Sequence, residues 1–248
     1  MELHTFEQGG MKLHYRSTGR GDPVVLIHGL SGSTGWWRYN VPVLALKYRV
    51  YLLDLVGYGH GRRQRALGLE GDVALIGAWM AALNLSRVAL MGHSMGGHVA
   101  LRLAAQNPER VNRLVLVCAS GLLRGHPVRL ALRLPHAGLK GRASFLPRIL
   151  FDSTRAGLPN LWRSGLGVLA DDTAPRLASV KARTLVIWGE RDVLIPPALG
   201  RALADGIPGA QYLEIPRAGH VVMVDAPRPF NRAVLAFLSE GNGEGNGV

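Results

Sequence analysis

Short apolar runs recur along this chain, each bounded by glycine, proline or charge, and segments with helical spacing fill the gaps between them. The runs are Val24–Ile27, Val50–Leu53, Val88–Met91, Leu114–Val117, Thr184–Trp188 and Gln211–Ile215. Such runs are too short for helices and too continuously apolar for half-exposed strands, which is how strands buried on both faces read. Between them lie Trp36–Leu46, Asp72–Leu83, Met95–Gln106, Ala198–Ala204 and Pro229–Leu238, where apolar residues return at helical intervals. Parallel neighbours need a crossover, so strand alternating with helix predicts a parallel sheet covered on both faces. Two more segments, Leu3–Glu7 and Met11–Arg16, flank Gly9-Gly10, which reads as a hairpin turn. The expectation is an α/β fold with a mostly parallel sheet of the eight-stranded type.

The alternation fails once. From Gly121 to Ala178 no buried-strand run occurs, and the sequence is rich in Arg and Leu and punctuated by Pro and Gly. This predicts a core built from residues 1–120 and 179–238, with a helical insertion over 121–178 after the sixth strand. A chain of 248 residues has room for one core and such an insertion. The last ten residues, Ser239–Val248, are almost all Glu, Gly, Asn and Ser and are expected to be a disordered tail. No apolar stretch approaches the ~18 residues of a spanning helix. The N-terminus lacks a charged-then-apolar leader pattern. The single cysteine, Cys118, has no internal partner for a disulfide. These features together predict a soluble, cytoplasmic protein.

The formal net charge is +12, carried by 29 basic against 17 acidic residues. A balance this basic raises nucleic acid or anionic membranes as partners. Nucleic acid is set aside: the sequence has no paired Cys/His zinc spacing, no basic region followed by heptads, and no aromatics interleaved with its basic pairs.

Chemistry concentrates at Gly92-His93-Ser94-Met95-Gly96-Gly97, which follows the run Val88–Met91 and opens a helical segment. A Gly-x-Ser-x-Gly in a strand–turn–helix context places serine on a sharp turn, with its hydroxyl lifted out of the sheet. The helix start supplies free N–H groups and a partial positive charge that favour a developing oxyanion. On these residues the chain resembles the α/β-hydrolase superfamily, in its capped esterase and lipase-like branch. The resemblance runs from about Leu3 to Leu238 and is weakest in the insertion.

The resemblance implies a function for several further positions. His28-Gly29-Leu30 is similar to the family's His-Gly-x turn, making Leu30 N–H one oxyanion donor and Met95 N–H the other. Asp54-Leu55-Val56-Gly57-Tyr58-Gly59 looks like a structural turn of the family; Arg62 and Arg63 stand where many relatives have Ser. The partners of Ser94 follow in the order acid, then His. Asp192 leaves the strand Thr184–Trp188 ahead of Ile195-Pro196-Pro197, with Glu190 as its local competitor. His220, in Arg217-Ala218-Gly219-His220, stands at the end of Gln211–Ile215. Asp225 is expected to cap or flank the last helix. Trp36, His28 and His93 are the expected substrate contacts, and Trp36, Trp37 and Tyr39 either line an acyl pocket or anchor the first helix. Cys118 is expected to pack in the core. The Gly/Ser-rich stretch Leu30–Gly35 lacks the Lys-Ser/Thr ending of a phosphate loop. No His-Glu-x-x-His or clustered metal-ligand spacing occurs, so neither metal nor organic cofactor is expected.

The activity this implies is that of a serine carboxylic-ester hydrolase acting on short- to medium-chain acyl esters through an acyl-enzyme. The alternative is a carbon–carbon bond hydrolase of the meta-cleavage-product type using the same three residues. A binding protein without activity is a third, weaker reading. The insertion holds nine basic and three acidic residues (Asp152, Asp171 and Asp172), with Leu and Phe between them. It reads either as an ordinary cap with a solvated Arg face or as a basic, apolar lid that touches lipid weakly.

Overall fold

A computed structural model describes residues 1–125 and 140–240. Eight strands form one sheet: β1 (Glu2–Gln8), β2 (Met11–Thr18), β3 (Pro23–Ile27), β4 (Arg49–Asp54), β5 (Val88–His93), β6 (Val111–Val117), β7 (Arg183–Gly189) and β8 (Gln211–Ile215), in the spatial order β1-β2-β4-β3-β5-β6-β7-β8. β1 and β2 pair antiparallel, as do β2 and β4, and every later pairing is parallel. The hairpin turn is Gly9-Gly10, both at positive φ (57° and 76°), the turn whose twist matches its strands. β3 and β5 sit at the centre. Val24, Val25, Leu26 and Ile27 are fully buried, which is why β3 reads as an unbroken apolar run.

The helices are α1 (Val41–Leu44), α2 (Leu69–Ala82), α3 (Met95–Gln106), α4 (Leu146–Ala156), α5 (Leu158–Ala170), α6 (Pro197–Gly206), α7 (Val222–Asp225) and α8 (Pro227–Ser239). α4 and α5 lie in the chain between β6 and β7. Residues 126–139 of the expected insertion lie outside the described residues. The parallel strands all end on one side of the molecule, and the loops with chemical motifs leave from those ends. Open α/β sheets bind ligands there.

Two local expectations are corrected. The segment Trp36–Leu46 is not one helix: a 3-10 turn over Thr34–Trp37 gives way to the short α1. Pro42 lacks an N–H and cannot continue a helix begun four residues earlier. The tail begins later than its composition suggests. Ser239 ends α8, and the carboxylate of Glu240 accepts a hydrogen bond from Arg183 at 2.7 Å. Positions 241–248 of the expected tail lie outside the described residues. Asp225 flanks α8, two residues ahead of Pro227, and its side chain braces the loop ahead of α7. No helix among the described residues is long and apolar enough to cross a membrane.

Candidate active site

The turn from β5 into α3 holds Ser94 at φ 53° and ψ −117°, a conformation few non-glycine residues adopt. The turn is over-determined by backbone. Ser94 N donates to Val117 O at 2.9 Å, while Ser94 O accepts from His98 N and Ser120 N. A β-carbon at position 96 would stand 2.4 Å from His28 O and 2.5 Å from Ile27 O, so only glycine lets α3 start this close to the end of β3. Ser94 is 9% exposed, and its hydroxyl makes no hydrogen bond among the described residues. Bonds to a nucleophile commonly tighten only once substrate is bound.

His220 and Asp192 are brought together from the loops after β8 and β7. His220 Nδ1 lies 2.8 Å from Asp192 Oδ2. A carboxylate only accepts, so the proton sits on Nδ1 and the lone pair on Nε2. The other oxygen, Oδ1, accepts from Leu194 N at 3.0 Å and Ile195 N at 2.9 Å. Trp188 Nε1 donates to Ile195 O and fixes that loop in turn. Glu190, the competitor, is exposed and accepts from Arg217 N instead. The two loops are stitched by Arg191 N to Ala218 O at 2.8 Å. Asp225 accepts from Gly219 N at 2.9 Å and from Arg142 N at 2.7 Å, tying the His220 loop to the insertion. Cys118, at the end of β6, is fully buried beside Asp192. Burial and the neighbouring carboxylate hold its thiol well above the usual range.

The loop after β3 passes against the Ser94 turn. A β-carbon on Gly29 would stand 3.0 Å from the Ser94 β-carbon, so the next N–H, that of Leu30, belongs to the same small space. The N–H groups of Leu30 and Met95 donate to no loop, cap or side-chain acceptor among the described residues. Two free donors beside one hydroxyl is the arrangement that acyl transfer uses.

The expected substrate contacts fare differently. His28 is fully buried, with Nδ1 against Gly29 O at 2.8 Å and Nε2 accepting from Leu55 N at 3.1 Å. It fastens β3 to β4 and has no nitrogen left for a substrate. His93 is buried too, and its Nε2 lies 2.9 Å from His220 O. Burial, then the charge of nearby His220, holds its pKa well below the usual imidazole value, so it is a neutral brace for the His220 loop. Trp36 packs between His93 and Phe145, at ring distances of 5.7 and 5.5 Å. Trp37 is fully buried and anchors the first helical turn on the core.

Sequence reasoning missed how the insertion is attached. Asp152 on α4 is buried and accepts from Ser33 Oγ (3.0 Å), Trp36 Nε1 (3.0 Å) and Arg148 Nε (2.7 Å). Arg148 also donates to Ser33 Oγ at 2.7 Å. On α5, the Asn160 amide donates to Gly57 O and Gln64 O and accepts from Ala66 N. One available signal was that Asp152 is the only acid between Lys140 and Ala170, an unlikely residue to leave unpaired in a basic segment.

The sequence profile of the α/β hydrolase fold family matches residues 22–151, and that of the TAP-like proteins matches residues 168–248. Among curated relatives, a 2-hydroxy-6-oxo-6-phenylhexa-2,4-dienoate hydrolase of Burkholderia cepacia is 30% identical, with 93% of this chain and 92% of the relative covered. Among solved structures, a meta-cleavage product hydrolase superposes with a TM-score of 0.81 at 25% identity, covering 96% of this chain and 98% of the other. An N-acyl homoserine lactone degrading enzyme superposes equally well, at 0.81 and 25%, covering 94% of this chain and all of the other.

Proposed function

Because the chain belongs to the α/β-hydrolase family, we propose that it hydrolyses the carbon–carbon bond of a 2-hydroxy-6-oxo-dienoate, with Ser94 as nucleophile, His220 as base and Asp192 as its orienting acid. The observation that carries this reading is the match to a carbon–carbon hydrolase along nine-tenths of both chains. It moves the weight from the ester cleavage expected of the sequence to the alternative held beside it. Such substrates carry a carboxylate, and a chain of net charge +12 draws anions toward it.

In the proposed reaction, His220 Nε2 takes the Ser94 proton as Oγ attacks the C6 carbonyl. Leu30 and Met95 N–H groups hold the oxyanion. As the C5–C6 bond breaks, its electron pair goes to C5, which takes the proton from the His220 imidazolium. Water, deprotonated by the same imidazole, then attacks the acyl-serine and releases a carboxylic acid; the proton returns to Ser94. No step calls on a metal or organic cofactor. The single cysteine, buried and unpaired, is in keeping with a cytoplasmic enzyme.

Ester or lactone hydrolysis is the second reading, favoured by the fit to the lactone-degrading enzyme. It uses the same residues, but the leaving group is an oxygen that needs less help from a proton. The two readings separate when the protein is given 2-hydroxy-6-oxo-6-phenylhexa-2,4-dienoate and a p-nitrophenyl ester series from acetyl to palmitoyl. A higher kcat/KM on the dienoate supports carbon–carbon cleavage. Turnover of esters with the dienoate untouched would establish the second reading instead.

A further inference from the structure

The surface of α5 is unusual for a helix at the water boundary. Leu158, Trp162 and Leu166, spaced four apart and so on one side of the helix, are 81%, 58% and 41% exposed. On α4, Leu150 and Phe151 are exposed as well. Beside Trp162 runs a groove of about 650 Å³, with Arg62, Arg63, Arg65 and Arg163 in its walls and no carboxylate. None of these four arginines pairs with an acid among the described residues. Some arginines elsewhere do meet an acid, Arg102, Arg183 and Arg201 among them; what sets the groove apart is that four arginines gather in its walls with no carboxylate among them. The one acid between Lys140 and Ala170, Asp152, is buried and paired with Arg148.

We propose that α5 and the arginine groove beside it form a docking face for an anionic lipid surface. Uncompensated guanidinium groups around an exposed apolar stripe match the two layers of a lipid–water boundary, phosphate outside and acyl chain within. An indole at the border between them sits where aromatic side chains concentrate in membranes. The indole N–H is the one hydrogen-bonding group of the stripe, so a protein partner would find little to fix its register, whereas an acyl layer needs none. No residue of the groove belongs to the Ser94 site, and the inference holds whichever bond is cut there.

Trp162 supplies its own reporter, because the other four of the chain's five tryptophans are buried. The full chain is mixed with vesicles of phosphatidylcholine alone, or of phosphatidylcholine with phosphatidylglycerol, and followed by co-sedimentation and tryptophan emission. We expect binding and a blue shift with the anionic vesicles only, weakening as salt is raised. Trp162→Phe should remove the shift while the protein still sediments. Each arginine near an anionic surface contributes about fivefold in partition, so combined Arg62→Gln, Arg63→Gln and Arg65→Gln should cost about a hundredfold, with hydrolysis of a soluble substrate unchanged. The proposal is overturned if anionic vesicles do not bind the protein at low salt, if neutral vesicles bind as well, or if the triple variant binds equally. It is likewise overturned if the face instead pairs two copies of the chain, seen as a dimer that Leu158→Asp dissociates without any vesicle binding.

Discussion

The turn that carries Ser94 and the helices between β6 and β7 are held in place by different means. The turn is fixed by backbone: Ser94 N to Val117 O, Ser120 N to Ser94 O, and a glycine at 96 that lets α3 touch β3. The insertion is fixed by side chains, with Asp152 gathering Ser33, Trp36 and Arg148, and Asn160 gathering three main-chain groups. A backbone-built turn tolerates changes of side chain without losing its shape, so substitutions there should reach chemistry and spare stability. A side-chain-built attachment should do the opposite.

The largest effect expected is at Ser94, the proposed nucleophile. Ser94→Ala should lower kcat by about 10⁴-fold or more with an unchanged melting temperature; a variant that melts early would place Ser94 among the structural residues. Asp192→Asn should lower kcat by about 10³- to 10⁴-fold, since the amide reverses the tautomer that His220 needs. Glu190→Gln, measured alongside, should stay within a few fold, and the reverse ranking would exchange the two acids.

Asp152→Ala tests the other half of the comparison. It leaves Ser33, Trp36 and Arg148 without their shared acceptor, at a cost of about 1–3 kcal/mol. In a chain of this size each kcal/mol lowers the melting temperature by about 2–4 °C. KM should rise more than kcat falls, as Trp36 and the insertion loosen together. A melting temperature equal to that of the wild type would show that the attachment rests elsewhere.

The smallest effect lies under the sheet, at Asp72. It is buried on α2, its carboxylate has no partner among the described residues, and burial alone raises its pKa well above the usual value. With the folded pKa above the unfolded one, the folded state binds the extra proton, and stability is lost as pH rises from about 4 toward the folded value. Asp72→Asn should therefore melt higher than the wild type at pH 8, and the gap should close near pH 3. A gap that widens on acidification would mean that the carboxylate is paired when ionised.

The same division decides what could be read in advance. The strands, the elbow at Ser94, Asp192 over Glu190, and His220 all sit at strand ends, where local pattern carries the information: an apolar run stops, and a glycine or acid follows. The mostly parallel character of the sheet came from that alternation; the order of its strands did not, because a run of apolar residues does not say which run it pairs with. Local pattern is silent where a side chain's contacts come from distant parts of the chain. His28 accepts from Leu55 N and His93 Nε2 meets His220 O, contacts 27 and 127 positions away. Asp152 meets Trp36 across 116 positions, beyond any local pattern. Asp225 flanks the last helix as its position suggests, but its two backbone donors, Gly219 and Arg142, come from separate parts of the chain and were not legible.

The proposed chemistry turns on one hydroxyl, and covalent labelling addresses it most directly. The protein is treated with a fluorophosphonate and the adduct located by peptide mass spectrometry, with Ser94→Ala beside it. One adduct is expected, on Ser94, formed in step with loss of hydrolysis and absent from the variant. An adduct on another residue, or full labelling of Ser94 with hydrolysis intact, would contradict it.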